Sequence, residues 1–264
     1  MPEGIEKDSY HKSHSEVRWI EAQGNDYGTD RRGEEMLGSL FDDPEPHDIF
    51  IRDFHVPSQN VDISITISGM KAENGQTLAS TGMTLWRASD IMCSYLAQNA
   101  DDIEGRRCLE LGGGLGQCGI LAHKVGAKRM IITDGDSDVL FQMRKNVDAN
   151  LEIPGGSTMV LPCRQLLWNN NIDQFKERWC TREEVDGFDI IMGSDIIYQD
   201  DAIEPLFYTV AELLSKDNEE SKFYLAYARR NIKIDTVLEC AQSFGLEWRE
   251  PTSPEGVYVF TWKR

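Results

Sequence analysis

The stretch Glu110-Leu111-Gly112-Gly113-Gly114-Leu115-Gly116 constrains the fold more than any other part of the chain. It follows a short apolar run at 108–111 and opens a helical pattern over 115–125. Three consecutive glycines lose backbone entropy that a plain turn need not lose, while their missing Cβ atoms permit a tight turn and close approach of backbone to a ligand. A glycine-rich turn between a buried strand and a helix predicts an α/β core, with binding beyond the carboxyl ends of its strands.

The remaining sequence keeps that rhythm. Apolar strand patterns at 129–133, 158–161, 188–192 and 223–228 alternate with helical patterns at 139–149, 202–214 and 232–244. Short apolar strands between amphipathic helices imply a mostly parallel sheet covered on both faces. Two closing strands, 246–249 and 257–262, are joined through Pro251, Pro254 and Gly256 and predict an antiparallel edge. The fold expected is a doubly wound, Rossmann-like, seven-stranded α/β sheet. A further helical pattern covers 86–96. Ahead of it, 48–56 and the alternating run 61–67 predict a β-hairpin, and the polar run 71–76 around Asn74-Gly75 a turn. Residues 1–47 are acidic and poor in apolar groups, so they are expected to be partly disordered or peripheral, with a possible role in docking a partner. Residues 48–264 are expected to form one domain.

Charge narrows the partners. Twenty-seven Lys and Arg face forty-five Asp and Glu, a formal net charge of −18. A phosphate backbone attracts proteins by being neutralised with positive charge, so nucleic acid is not the expected partner and a protein with a basic segment is. The six cysteines include no Cys-x-x-Cys pair, so neither a zinc ribbon nor a redox pair is signalled and no metal is expected. Neither a leader sequence nor a bilayer-spanning run is evident, and a cytoplasmic location is expected, with the nucleus open as well.

Candidate site residues fall just after strands. Gly114-Leu-Gly116-Gln-Cys-Gly119 fits a dinucleotide fingerprint, with Asp134 twenty residues after Gly114. That alignment leaves Gly112 and Gly113 unused and places the Glu110 carboxylate at the strand end. A methyl donor carrying an ammonium and a sulfonium, S-adenosyl-L-methionine, accounts for both, because an acidic side chain near the loop supplies favourable charge. Asp134 can accept hydrogen bonds from a ribose diol under either reading. Asp136 and Asp138 are placed to cap the next helix. Trp168, beyond the third strand, offers a flat apolar face to an adenine or to the core. Asp195 and Tyr198, after the fourth strand, are placed to align an acceptor amine and tolerate loss of its proton; an N-cap and a core tyrosine are the plainer roles.

Taken together, Thr81-Gly-Met-Thr-Leu-Trp86, the Leu109–Gly116 loop, Thr133-Asp134, Asn146-Val-Asp-Ala-Asn150, Leu167-Trp168 and Ser194-Asp195-Ile-Ile-Tyr198 resemble the seven-strand protein methyltransferases of the METTL21-like lysine-methylating family. The resemblance covers about residues 48–264. It implies that Trp86, the loop Gly112 to Gly114, Asp134, Trp168 and Ser194 line the site of S-adenosyl-L-methionine, with Asp195 and Tyr198 where cofactor meets acceptor. It departs from the family pattern at Gly113, Leu115 and Arg87. The implied activity is methyl transfer to a lysine of a protein substrate. A protein-histidine methyltransferase, an NAD-type oxidoreductase and a non-catalytic adaptor of the same fold are the alternatives.

Overall fold

The structure is a computed structural model, and it describes residues 48–70, 78–151, 161–180, 187–228, 232–253 and 255–264. The N-terminal segment 1–47, the turn expected at 71–76 and most of the strand expected at 158–161 lie outside the described residues.

Strands β1 (Asp48–Val56) and β2 (Val61–Gly69) pair antiparallel in the expected hairpin. The other seven described strands are β3 (Arg107–Glu110), β4 (Arg129–Asp134), β5 (Cys163–Gln165), β6 (Ile190–Ser194), β7 (Lys222–Tyr227), β8 (Leu246–Arg249) and β9 (Gly256–Trp262). They form one sheet in the order β5-β4-β3-β6-β7-β9-β8. Strands β3 to β7 run parallel, whereas β9 is antiparallel to both β7 and β8. Among the described residues the strand that pairs with β4 is Cys163–Gln165, beyond the expected 158–161: three residues after Pro162, paired with Ile132 to Asp134, are too few to show a period.

Alternation across the sheet builds two cores, because successive strand side chains point to opposite faces. Cys108, Met130, Ile132, Ile190, Met192 and Tyr224 pack on one face, under β1, β2 and the helices α1 (Arg87–Gln98), α2 (Gln117–Lys124) and α3 (Ser137–Asn150). Leu109, Ile131, Ile191, Phe223, Leu225 and Phe260 pack on the other, under α4 (Ile172–Trp179), α5 (Ile203–Leu213) and α6 (Ile234–Ser243). Helix α4 is absent from the sequence reading, although Ile172, Phe175 and Trp179 stand at helical spacing and pack on that core.

Strand β3 leads to β4 on one side and lies against β6 on the other. Helices leaving these strands diverge to opposite faces and open a crevice at the carboxyl ends of β3 and β6, the position where open α/β sheets bind ligands.

Candidate active site

The turn after β3 is built from left-handed backbone. Gly112 has φ 59° and Gly114 φ 53°, a region in which a side chain is strained. A Cβ on Gly112 would also stand 2.7 Å from Ile196 Cγ2. The Gly113 amide donates to Thr133 O at 2.8 Å and that of Gly114 to Asp134 Oδ2 at 3.0 Å, so the turn is tied to the end of β4.

A cavity of about 730 Å³ opens over this turn. Its wall brings together Trp86, Gly112, Gly113, Gly114 and Asp134 with Trp168, Ser194, Asp195 and Tyr198, although these lie more than a hundred positions apart at the extremes. Asp134 uses one oxygen for Gly114 and the other for the Asp136 amide, at 3.1 Å, and keeps lone pairs for a ligand. Burial raises its pKa, with those amides working against the shift. Trp168 is half-buried, with its ring edge 3.5 Å from the place a Gly112 Cβ would take. Trp86 donates its indole N–H to Thr81 O at 2.8 Å, which fixes its ring at the start of α1.

On the far wall, Ser194 ends β6 with its hydroxyl 3.2 Å from that of Ser89. Asp195 follows in a left-handed conformation at φ 60°, its amide held by Ala226 O at 3.1 Å. Ile196 and Ile197 then plunge into the core, so the chain re-emerges at Tyr198, which is 48% exposed. Asp195 and Tyr198 face one cavity for this reason. Asp136 caps α3 by accepting from the Asp138 and Val139 amides.

Two expected residues stand outside the wall. Glu110 is buried beneath the turn, where Oε2 accepts from the Gly119 amide at 2.8 Å. Burial pushes its pKa up to about 8, despite that hydrogen bond, so it carries the loop from below as a largely protonated group at neutral pH. Gly116 supplies the left-handed residue at the start of α2, with φ 84°. Conversely, the wall includes Ser89, Gln117 and Asp201, which the sequence reading did not single out, and Thr81 and Gly82, which it quoted as part of a motif without giving them a role. Ser89 and Gln117 lie in first helical turns facing the crevice, a placement that motif spacing does not reveal.

The electrostatics of this wall are one-sided. Asp134, Asp136, Asp195 and Asp201 line it, and no lysine or arginine does among the described residues. Such a surface suits a cationic ligand and disfavours a pyrophosphate.

The chain is 32% identical over 133 residues to the protein N-lysine methyltransferase METTL21A of Danio rerio, covering 50% of this chain and 56% of that protein. It is 26% identical over 210 residues to the protein N-terminal and lysine N-methyltransferase EFM7 of Yarrowia lipolytica, covering 67% and 71%. The match thus spans little more than half the length of METTL21A. Among solved structures, magnesium protoporphyrin IX methyltransferase from Synechocystis PCC 6803, with bound S-adenosylhomocysteine, is similar at a TM-score of 0.48 and 9% identity, over 73% of this chain and 90% of that one. Residues 68–244 match the lysine methyltransferase family. With its glycine turn, its acidic wall and that match over most of its length, the chain belongs to the lysine methyltransferase family.

Proposed function

We propose that this chain is an S-adenosyl-L-methionine-dependent protein methyltransferase acting on a lysine side chain. The observation that carries the reading is the cavity wall with four carboxylates and, among the described residues, no lysine or arginine, set over a glycine turn at the crevice. S-adenosyl-L-methionine fits there: Asp134 retains acceptor sites for a ribose diol, Trp168 offers a flat face for adenine, and Gly112 to Gly114 offer backbone without side chains. A dinucleotide cofactor would bring a pyrophosphate against aspartates.

When bound, the donor supplies an already activated methyl group, so the protein's contribution is orientation and exclusion of water. Asp195 and Tyr198 stand at the outer wall, where a carboxylate and a phenol accept hydrogen bonds from the acceptor nitrogen and align its lone pair. Lysine is protonated at neutral pH and must lose that proton before attack, and Asp195 stabilises the cation as it arrives. The exposed Asp200 and Asp201 beside Tyr198 favour a partner with a basic segment. Six free thiols support a reducing compartment, which we take to be the cytoplasm, with the nucleus as a second location.

Calorimetric titration tests the cofactor: S-adenosylhomocysteine is expected to bind and NADH to give no heat. Incubation with isotopically labelled donor and cell extract, followed by mapping of the labelled residue, tests the acceptor. Tight NADH binding without S-adenosylhomocysteine binding would overturn the proposal.

A further inference from the structure

A cluster of positive charge lies beside the candidate site and outside its wall. Arg129 on β4, Arg164 on β5 and Arg178 on α4 stand 5.5, 5.0 and 5.5 Å from the ring of Trp179. Arg144 on α3 joins them by donating to Cys163 O at 3.4 Å, an oxygen to which Arg164 also donates, at 2.9 Å. Among the described residues no carboxylate forms an ion pair with any of the four, although acidic groups outnumber basic ones 45 to 27. Lys176, on the same helix as Arg178, does have one, Glu212 at 3.2 Å.

Two plain roles account for part of this cluster. The two arginines at Cys163 O blunt the edge of β5, and stacking on an indole is favourable for a guanidinium. Neither role requires four mutually repelling cations with no ion-paired carboxylate among the described residues. Burial and the neighbouring Arg178 and Arg144 push the Arg164 pKa down, so the repulsion is felt. Its Nε is buried without a hydrogen-bond partner, which leaves a charged donor unsatisfied. A cleft of about 360 Å³ opens at this place, lined by Arg164, Arg178 and Trp179 together with the amides of Gln165, Asn170 and Gln174.

We infer that this cleft docks an acidic segment of a protein partner, held by the guanidiniums of Arg164 and Arg178 in its wall and by that of Arg144, which lies outside the wall and meets Arg164 at Cys163 O. Guanidinium forks match carboxylates in geometry and charge, and clusters of arginines are a common means of capturing acidic motifs. The four cations are distributed over four elements, which suits an extended chain with several carboxylates better than a single small oxyanion. A nucleic acid would need an aromatic face for its bases, and three cations already stand over the Trp179 ring. Leu166 and Leu167 belong to the walls of both this cleft and the candidate site. A partner held here lies next to the outer mouth.

The test is calorimetry on the full chain with three probes: a hexaglutamate peptide, inorganic pyrophosphate and oligouridylate, each at low and high salt. The peptide is expected to bind at low salt and to weaken as salt rises. Arg144 and Arg178 are exposed, so the double variant Arg144→Glu, Arg178→Glu should fold and lose about tenfold or more in peptide affinity. The milder pair Arg144→Gln, Arg178→Gln should lose less. S-adenosylhomocysteine affinity should stay the same in all variants, which separates this inference from the cofactor reading. No peptide binding by the wild type, equal binding by both double variants, or tighter binding of pyrophosphate or oligouridylate would overturn it.

Discussion

Asp195 pairs a strained backbone with a proposed role at the acceptor. A left-handed conformation costs a non-glycine residue on the order of 1–2 kcal/mol, and strain of this kind persists where the surroundings over-determine it. Here the Ala226 carbonyl holds its amide while Ile196 and Ile197 are locked in the core. Asparagine tolerates the same φ but carries no charge. Asp195→Asn is expected to melt within a few degrees of the wild type while its single-turnover methyl transfer falls at least about tenfold. Asp195→Gly, relieved of strain, should be as stable or more so, and equally impaired. A wild-type rate in either variant would remove the carboxylate from the acceptor side. Glu110 makes a separate, thermodynamic prediction. In the folded protein it keeps its proton up to about pH 8, whereas an unfolded chain releases it near about pH 4.3. The native state therefore binds more protons within that window, and this group's contribution to stability falls as pH rises through it. Glu110→Gln keeps an acceptor for the Gly119 amide but does not titrate. Its stability relative to the wild type should rise between pH 5 and pH 8, as read from urea midpoints; a constant difference would show that the carboxyl is not protonated in the fold.

Among the elements, the attachment of the hairpin to the sheet depends on two asparagines one turn apart on α3. Asn146 accepts from Ser68 N at 2.9 Å and donates to Ser68 O and Leu115 O, both at 3.0 Å, while Asn150 accepts from Thr66 N at 2.9 Å and donates to Thr66 O at 2.6 Å. Each amide serves the hairpin as a neighbouring strand would, pairing one N–H and one C=O. Asn146→Ala would leave Ser68 N and Leu115 O unpaired, while Gln142 still donates to Ser68 O at 3.0 Å; at about 1–3 kcal/mol for each group, a loss of roughly 2–4 kcal/mol is expected in denaturant unfolding. Leu115 lies in the glycine turn, so S-adenosylhomocysteine affinity should fall as well; an unchanged affinity would mean that the turn holds its shape without α3. These contacts also show what sequence reading reaches and where it stops. Strands β3, β4, β6 and β7 were legible because each is an apolar run next to a turn, and the two-residue period sorts them to both faces. Strand β5 was not, since three residues define no period, and helix α4 was missed although Ile172, Phe175 and Trp179 form a stripe, because its two turns are short and otherwise polar. Within the site, Ser194 was reached only through the family resemblance, while the strand-end residues Asp134 and Asp195 were legible because topology alone brings strand ends together. Ser89 and Gln117 were not, because they reach the cavity through the crossing of α1 over α2. Glu110 shows the opposite failure: an acid at a strand end reads as a ligand until its side chain is found to point below the turn.

For the molecule as a whole, the distribution of charge matters more than the total. With a net charge of −18, a basic polypeptide is attracted before any specific contact forms, and the aspartates at the outer wall concentrate that field at the mouth. Charges on the surface are screened over about 8 Å at physiological ionic strength, whereas an enclosed wall is screened less. The two effects should separate in kinetics. For a lysine peptide flanked by basic residues, kcat/KM is expected to fall as salt rises, and kcat to change little, because salt weakens encounter and leaves the bound geometry intact. A peptide with the same lysine and neutral flanks should show a much flatter salt dependence. The acceptor must also shed a proton of ordinary pKa about 10.4, so the single-turnover rate should climb towards alkaline pH with either peptide. If kcat fell with salt as steeply as kcat/KM, the attraction would belong to the reacting complex itself. Steering would then be the wrong account of the acidic surface, and the four carboxylates of the wall would have to act on the bound acceptor directly.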